Sequence, residues 1–249
     1  MSGHSKWATI KHKKGAADKA RGKLFAKLAR QIEVSARAGG GDIDSNPTLR
    51  TSVQKAKSSQ MTNDAIDRAI KRGTGEGSGE NYESVMYEGY APGGVAVLID
   101  VLTDNRNRAS ADIRNILSKL GGSMAEPGAV GWQFSRQGII LIENVSSGDE
   151  LMLTALDAGA DDVIDDGGAW RVMCDPSATF EIRETLETGG YTIMSADTPM
   201  VSENLVPVET VEDAKRLLRL IESLEDNDDV QDVFSNFDIS DDVMEAAAG

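Results

Sequence analysis

One cysteine, Cys174, leaves a 249-residue chain with no internal disulfide framework and no multi-cysteine metal site. Histidine is almost as scarce. His4 and His12 are the only two, and both lie in a lysine-rich stretch without the carboxylate or thiolate neighbours that a zinc site uses. Long apolar runs are missing as well: Val95 to Ile99 is typical of the longest, against the ~20 residues a membrane-spanning helix needs. The opening MSGHSKWATIKHKKG is basic but carries no apolar stretch of the kind found in secretory signals. These absences predict a protein of the reducing cytoplasm with no membrane partner.

Catalytic signatures are absent too. The glycine-rich run Gly73 to Gly79 lacks the lysine and hydroxyl of a phosphate-binding loop and does not keep the dinucleotide-binding spacing, so it reads as a linker. There is no G-x-S-x-G turn for a nucleophilic serine. Asp161, Asp162, Asp165 and Asp166 are hard oxygen ligands, but alternate carboxylates on a strand point to opposite faces, and an acidic hairpin is the simpler account. The sequence therefore predicts no catalytic residue, no metal and no cofactor.

What the chain has is segregated charge. Its overall balance is −15, yet residues 1–72 hold 16 Lys+Arg against 6 Asp+Glu, a net +10, and the remainder holds 10 against 35. Such asymmetry points to nucleic-acid contact by the basic part. The acidic remainder repels polyanions and is expected to dock a protein partner, if anything.

The length favours two or three domains, and a hydrophobic share of 40% is enough for ordinary cores. Three helices are predicted in the basic part: about 18–38, stopped by Gly39-Gly40-Gly41; one opened by Asn46-Pro47 as cap and first residue; and one from near Asn63 to Gly73. They show no clear helix-turn-helix signature with its tight turn, and no heptad pattern calls for a dimer, so a monomer is expected. Beyond the glycine run, β-branched stretches at Val85–Tyr90 and Val95–Thr103 are followed by a helix around Ile113 and a strand at Gly131–Phe134. Residues 138–196 give the order β-α-β-β-α-β of a ferredoxin-like unit. The segment 201–235 cannot close a core alone but can complete the 82–135 region. The predicted fold is α+β in three domains: a basic three-helix domain with its glycine-rich linker over 1–80, a discontinuous α+β domain over 81–136 and 200–249, and an inserted ferredoxin-like domain over 137–199.

At about 100° per residue, Lys19, Lys23, Lys27, Arg30 and Arg37 fall within an arc of roughly 80° on the first helix, opposite Leu24, Phe25, Leu28, Ile32 and Ala36. Ahead of them Lys6, Lys11, Lys13 and Lys14 form a basic arm around Trp7, an aromatic that suits stacking on an unpaired base. Together with Arg21 these are the candidate nucleic-acid contacts. Arg106 and Arg108 open a helix, where positive charge opposes the dipole, and are candidates for an anion contact.

Five stretches carry a resemblance: GHSKWATIKHKKG from Gly3, RGKLFAKLARQIEVSAR from Arg21, IDRAIKRGTGE from Ile66, YEGYAPGGVAVLIDVLTDNRNR from Tyr87 and DVQDVFSNFDI from Asp229. Through them the chain closely resembles the YebC/PmpR family, whose mitochondrial relative is a translational activator of cytochrome c oxidase. The resemblance implies a helical N-terminal domain followed by two α+β domains. It also implies a transcriptional regulator that binds DNA or, in other members, a ribosome-associated translation factor that helps synthesis through proline-rich stretches. Its charged motif positions are Lys6, Lys11, Lys13, Lys14, Arg21, Lys23 and Lys27. Where many members read N-x-P-x-D-N, this chain has Gln60-Met61-Thr62-Asn63-Asp64-Ala65. The leading expectation is a DNA-binding regulator of transcription; the alternative is a ribosome- or RNA-binding translation factor.

Overall fold

The structure, a computed structural model, describes residues 18–75, 82–167 and 169–248. The first stretch holds α1 (Asp18–Gly39), α2 (Pro47–Ser58) and α3 (Asn63–Thr74). Then come β1 (Glu83–Tyr90), β2 (Ala96–Thr103), α4 (Arg106–Lys119), β3 (Ser123–Met124) and β4 (Phe134–Arg136). Next are β5 (Gly138–Glu143), α5 (Gly148–Asp157), β6 (Asp162–Asp165), β7 (Trp170–Cys174), α6 (Thr179–Thr188) and β8 (Thr192–Asp197). The chain closes with β9 (Met200–Ser202), β10 (Val206–Val208), α7 (Val211–Glu225), β11 (Val230–Ser235), β12 (Phe237–Ile239) and α8 (Asp241–Ala248). This is a mixed α+β protein with a helical N-terminal region. Residues 134–201 form one compact unit and the rest of the described chain another.

Helix formation at the N-terminal end follows from local chemistry. After α1 the chain turns through Gly40, whose φ of +89° a side chain would resist. Asn46 then accepts from the Leu49 amide at 3.1 Å and donates to the carbonyls of Ser35 and Gly40 at 2.9 and 2.8 Å. One buried amide thus caps α2 and fastens it to the end of α1, a cap worth about 1 kcal/mol. Pro47 fills the first helical position, where no amide is needed. Leu28, Ile32, Ala36, Leu49, Val53, Ala56, Ile66 and Ala69 pack into the core between the three helices.

Two sequence readings need correction here. The helix does not end at Gly73: α3 runs on to Thr74, and Gly73 is buried inside it. A Cβ at Gly73 would collide with the Glu33 carbonyl oxygen and lie 2.8 Å from the Ala36 Cβ, so glycine serves a close helix crossing rather than a linker. Of the predicted linker, residues 76–80 lie outside the described residues. The connection from α2 to α3 is also short, only Ser59 to Thr62, with Gln60 at a φ of 63°. That is the length of a helix-turn-helix turn.

In the same unit a four-stranded antiparallel sheet has the order β11-β2-β1-β3. Strand β11 returns from the far end of the chain to pair with β2, Val233 opposite Ile99. Ile113 and Leu117 of α4 and Leu217, Leu220 and Ile221 of α7 bury against Val97, Ile99, Val101, Val230 and Val233. Residues Gly131–Gln133, read from the sequence as strand, form a 3-10 turn instead. The cause is Glu88, whose carboxylate accepts from the amides of Gly128, Val130 and Gly131 at 2.7, 2.7 and 2.8 Å and folds the loop back on itself.

The other unit is ferredoxin-like. Its strands run in the order β6-β7-β5-β8 with every neighbour antiparallel, and α5 and α6 supply the helical layer. Ile140, Ile142, Leu151, Val172, Ile182 and Leu186 are its core. Gly148 opens α5 beneath the Trp170 ring, where a Cβ would clash. Cys174 is buried, which pushes its thiol up from the ordinary range and leaves it unreactive.

Candidate nucleic-acid interface

The predicted basic face of α1 forms as the spacing requires, since Leu28, Ile32 and Ala36 turn inward to the helical core. It does not point into water throughout. Lys23 Nζ donates to the Asp226 carbonyl at 3.1 Å and pairs with the Asp226 carboxylate at 3.1 Å. Lys27 Nζ donates to the Glu225 carbonyl at 2.6 Å, and Arg30 to the Asp228 carbonyl at 2.9 Å. Lys55 of α2 extends the contact to Asp232 at 3.1 Å.

Physical chemistry explains why these cations settle there. The last turn of α7 has no basic residue, although its carbonyls carry the negative end of the helix dipole. Lys23 and Lys27 reach the carbonyls of Glu225 and Asp226 at that end and supply the missing charge from another helix.

Deeper in, Asp229 is 7% exposed and collects partners. It accepts from Thr103 Oγ1 at 3.0 Å and Arg108 Nη2 at 2.8 Å, with Arg30 Nη1 at 3.6 Å. Arg108 also holds Asp104 at 2.7 Å, and the two carboxylates raise its already high pKa further. The guanidinium of Arg30 lies 4.9 Å from the centre of the Tyr82 ring. Arg30, Tyr82, Asp104, Arg108, Asp112 and Asp228 line a polar cleft of about 370 Å³.

The remaining predicted contacts distribute as follows. Lys6, Trp7, Lys11, Lys13 and Lys14 lie outside the described residues. Lys19 is in the first turn of α1, and Arg21 is exposed just after it. Arg37 pairs with Glu33 at 3.1 Å, which also takes Arg72. Arg106 is exposed at the start of α4, whereas the anion that Arg108 meets is Asp229 of the same chain. The sequence reading passed over Lys57, Arg68 and Lys71, which are exposed and make no ion pair with another described residue. On α3, Arg68 lies about 200° round from Ile66 and Lys71 about 200° round from Ala69, which was the available signal; Lys57 lies only about 40° from Val53 on α2, so spacing did not mark it.

The acidic hairpin separates its carboxylates. Asp162 and Asp165 accept from backbone amides near them, and Asp166 pairs with Arg171 at 3.1 Å. Burial pushes the Asp166 carboxyl up, against the pull of Arg171. Among the described residues no three His, Cys, Asp or Glu side chains are grouped to hold a metal ion. No described helix is long and apolar enough to cross a membrane.

A basic helical region followed by acidic α+β structure is the plan of this chain. Comparison with known proteins narrows that plan to one family. The model described as TACO1/YebC protein N-terminal domain matches residues 5–76, and that of the TACO1/YebC second and third domain matches residues 82–237. The chain belongs to the TACO1/YebC family. A relative from Halothermothrix orenii is 53% identical over 98% of both chains, and one from Rubrobacter xylanophilus is 55% identical over 100% of both. Each is named "Probable transcriptional regulatory protein". The crystal structure of a conserved hypothetical protein from Aquifex aeolicus is similar with a TM-score of 0.78 and 41% identity, covering 89% of this chain and 91% of that one. Both relatives are thus named as probable regulators of transcription.

Proposed function

We propose that the protein is a cytoplasmic, DNA-binding regulator of transcription that grips phosphates through a basic N-terminal domain, residues 1–80, and performs no catalysis. The observation that carries this reading is the segregation of charge, +10 in residues 1–72 against −25 in the rest. Each cation placed on a phosphate releases condensed counter-ions, so the affinity falls steeply with salt. The names of the relatives support the regulatory role, and the short α2–α3 turn removes one objection to DNA.

The contacts divide into two groups. Lys6, Lys11, Lys13, Lys14, Lys19 and Arg21 lead the approach, with Trp7 available to an unpaired base and Arg37 at the far end of the helix. Lys23, Lys27 and Arg30 join only when they leave the carbonyls of Glu225, Asp226 and Asp228. The protein acts as a monomer, and the acidic charge of its discontinuous and inserted α+β domains, 81–136 with 200–249 and 137–199, repels nucleic acid and leaves the contact to the basic domain.

The test is binding of the full chain to duplex DNA and to ribosomes across a salt series, beside a Lys11→Glu, Lys13→Glu, Lys14→Glu variant. Sequence-selective DNA binding near physiological salt, lost in the variant together with about three units of log-salt slope, sustains the reading. Weak, unselective DNA binding with tight, variant-sensitive ribosome binding overturns it in favour of a translation factor.

A further inference from the structure

The ferredoxin-like unit presents an apolar surface in an unusual place. On α5 the buried residues Leu151 and Ala155 fix the side that faces the core. At about 100° per residue, Leu153 lies directly opposite that side, with Leu156 and Met152 next to it. Their exposures agree: Leu153 is 65% accessible, Leu156 46% and Met152 39%. A helix covering a sheet carries polar residues there, since the solvent side gains nothing from leucine.

The charge around this face is one-sided. Residues 134–201 contain 13 Asp+Glu, three Arg and no Lys. All three arginines are engaged within the unit: Arg136 with the Thr198 carbonyl, Arg171 with Asp166 and Arg183 with Glu187. Asp149, Glu150 and Asp157 lie on α5 itself, each exposed beside the apolar residues.

We infer that the exposed face of α5 docks a basic, amphipathic protein segment, one whose leucine-like side chains cover Leu153, Leu156 and Met152 while its Lys and Arg meet Asp149, Glu150 and Asp157. Charge selects this occupant. A nucleic acid is repelled by the unit, and an anionic membrane surface attracts amphipathic helices whose polar side is rich in Lys and Arg, the reverse of this one. A second copy of the unit brings the same negative charge to the contact. The surface belongs to the other compact unit and uses none of the residues of the basic domain, so it stands or falls independently of nucleic-acid binding.

The test titrates the full-length protein against a fluorescein-labelled 14-residue helical peptide of Lys and Leu, with the Leu on one face. A peptide of the same composition with Leu spread evenly round the helix, and a single-stranded oligonucleotide, serve as controls. The patterned peptide binds wild type at least tenfold tighter than either control. Leu153→Glu with Leu156→Glu weakens it at least tenfold, Leu153→Ala weakens it severalfold with the melting midpoint unchanged, and Asp149→Asn with Asp157→Asn flattens its salt dependence. Equal binding to the double variant, equal binding of the even peptide, preference for the oligonucleotide, or no binding at all overturns the inference. So does a concentration-dependent dimer in sedimentation that Leu153→Glu abolishes.

Discussion

Helices α1 and α5 have exchanged the surfaces that composition alone would assign them. The charged side of α1 is drawn onto the carbonyls of Glu225, Asp226 and Asp228, whereas α5 leaves leucines in water. The difference lies in what each helix finds nearby. For α1 a helix end with unbalanced negative dipole and a buried carboxylate, Asp229, make Lys and Arg useful inside the fold. For α5 the surrounding unit is rich in acid and its three arginines are engaged elsewhere, and the leucines stay exposed.

Several measurements would break or sharpen that contrast. The largest effect is expected at the centre of the α1 contact: Asp229→Ala strips Thr103, Arg108 and Arg30 of their shared partner, and should cost about 3 kcal/mol of stability in a denaturant titration. Gly73→Leu, which forces a side chain into the α1–α3 crossing, should cost about 2 kcal/mol by the same measurement. Lys23→Ala is half-exposed, and its removal should cost less than about 1 kcal/mol, screened further by salt. On α5, Leu153→Glu should move stability by no more than about 0.5 kcal/mol, because the position lies away from the core. A large loss there would mean that the leucine packs inside the molecule.

A pH prediction concerns the loop that Glu88 organises. Burial alone would push this carboxyl up, but the amides of Gly128, Val130, Gly131 and Ala129 outweigh it and hold the group below the ordinary glutamate range. A depressed carboxylate contributes stability that is fully present above its unfolded pKa and is lost as pH falls through the folded one. The amide resonances of Gly128, Val130 and Gly131 should therefore hold steady through the usual glutamate range near pH 4 and shift together only below it. In Glu88→Gln the loop should be looser and its resonances should lose that titration.

Local signals carried much of the fold. Asn46-Pro47 announced α2 because cap and first-turn chemistry act within four residues. The ferredoxin-like order was legible because each of its strands and helices has its own apolar rhythm. What was not legible depends on partners far along the chain. Gly73 looks like a helix end until Glu33 and Ala36 are seen against it, and Gly131–Gln133 looks like a strand until Glu88 gathers its amides. The basic face of α1 was visible as a pattern, but its neighbours at 225–228 stand about 200 positions away, and no local rule reaches them.

That separation bears on how the protein is made. The partners of Lys23 and Lys27 are 203 and 198 residues downstream. At roughly 5–20 residues per second, synthesis takes ~10–40 s to cover that interval. Throughout it the emerging N-terminal segment is a polycation without the carbonyls that later receive its lysines, held beside the most concentrated RNA in the cell. The finished chain neutralises part of its own front end, and the nascent one does not.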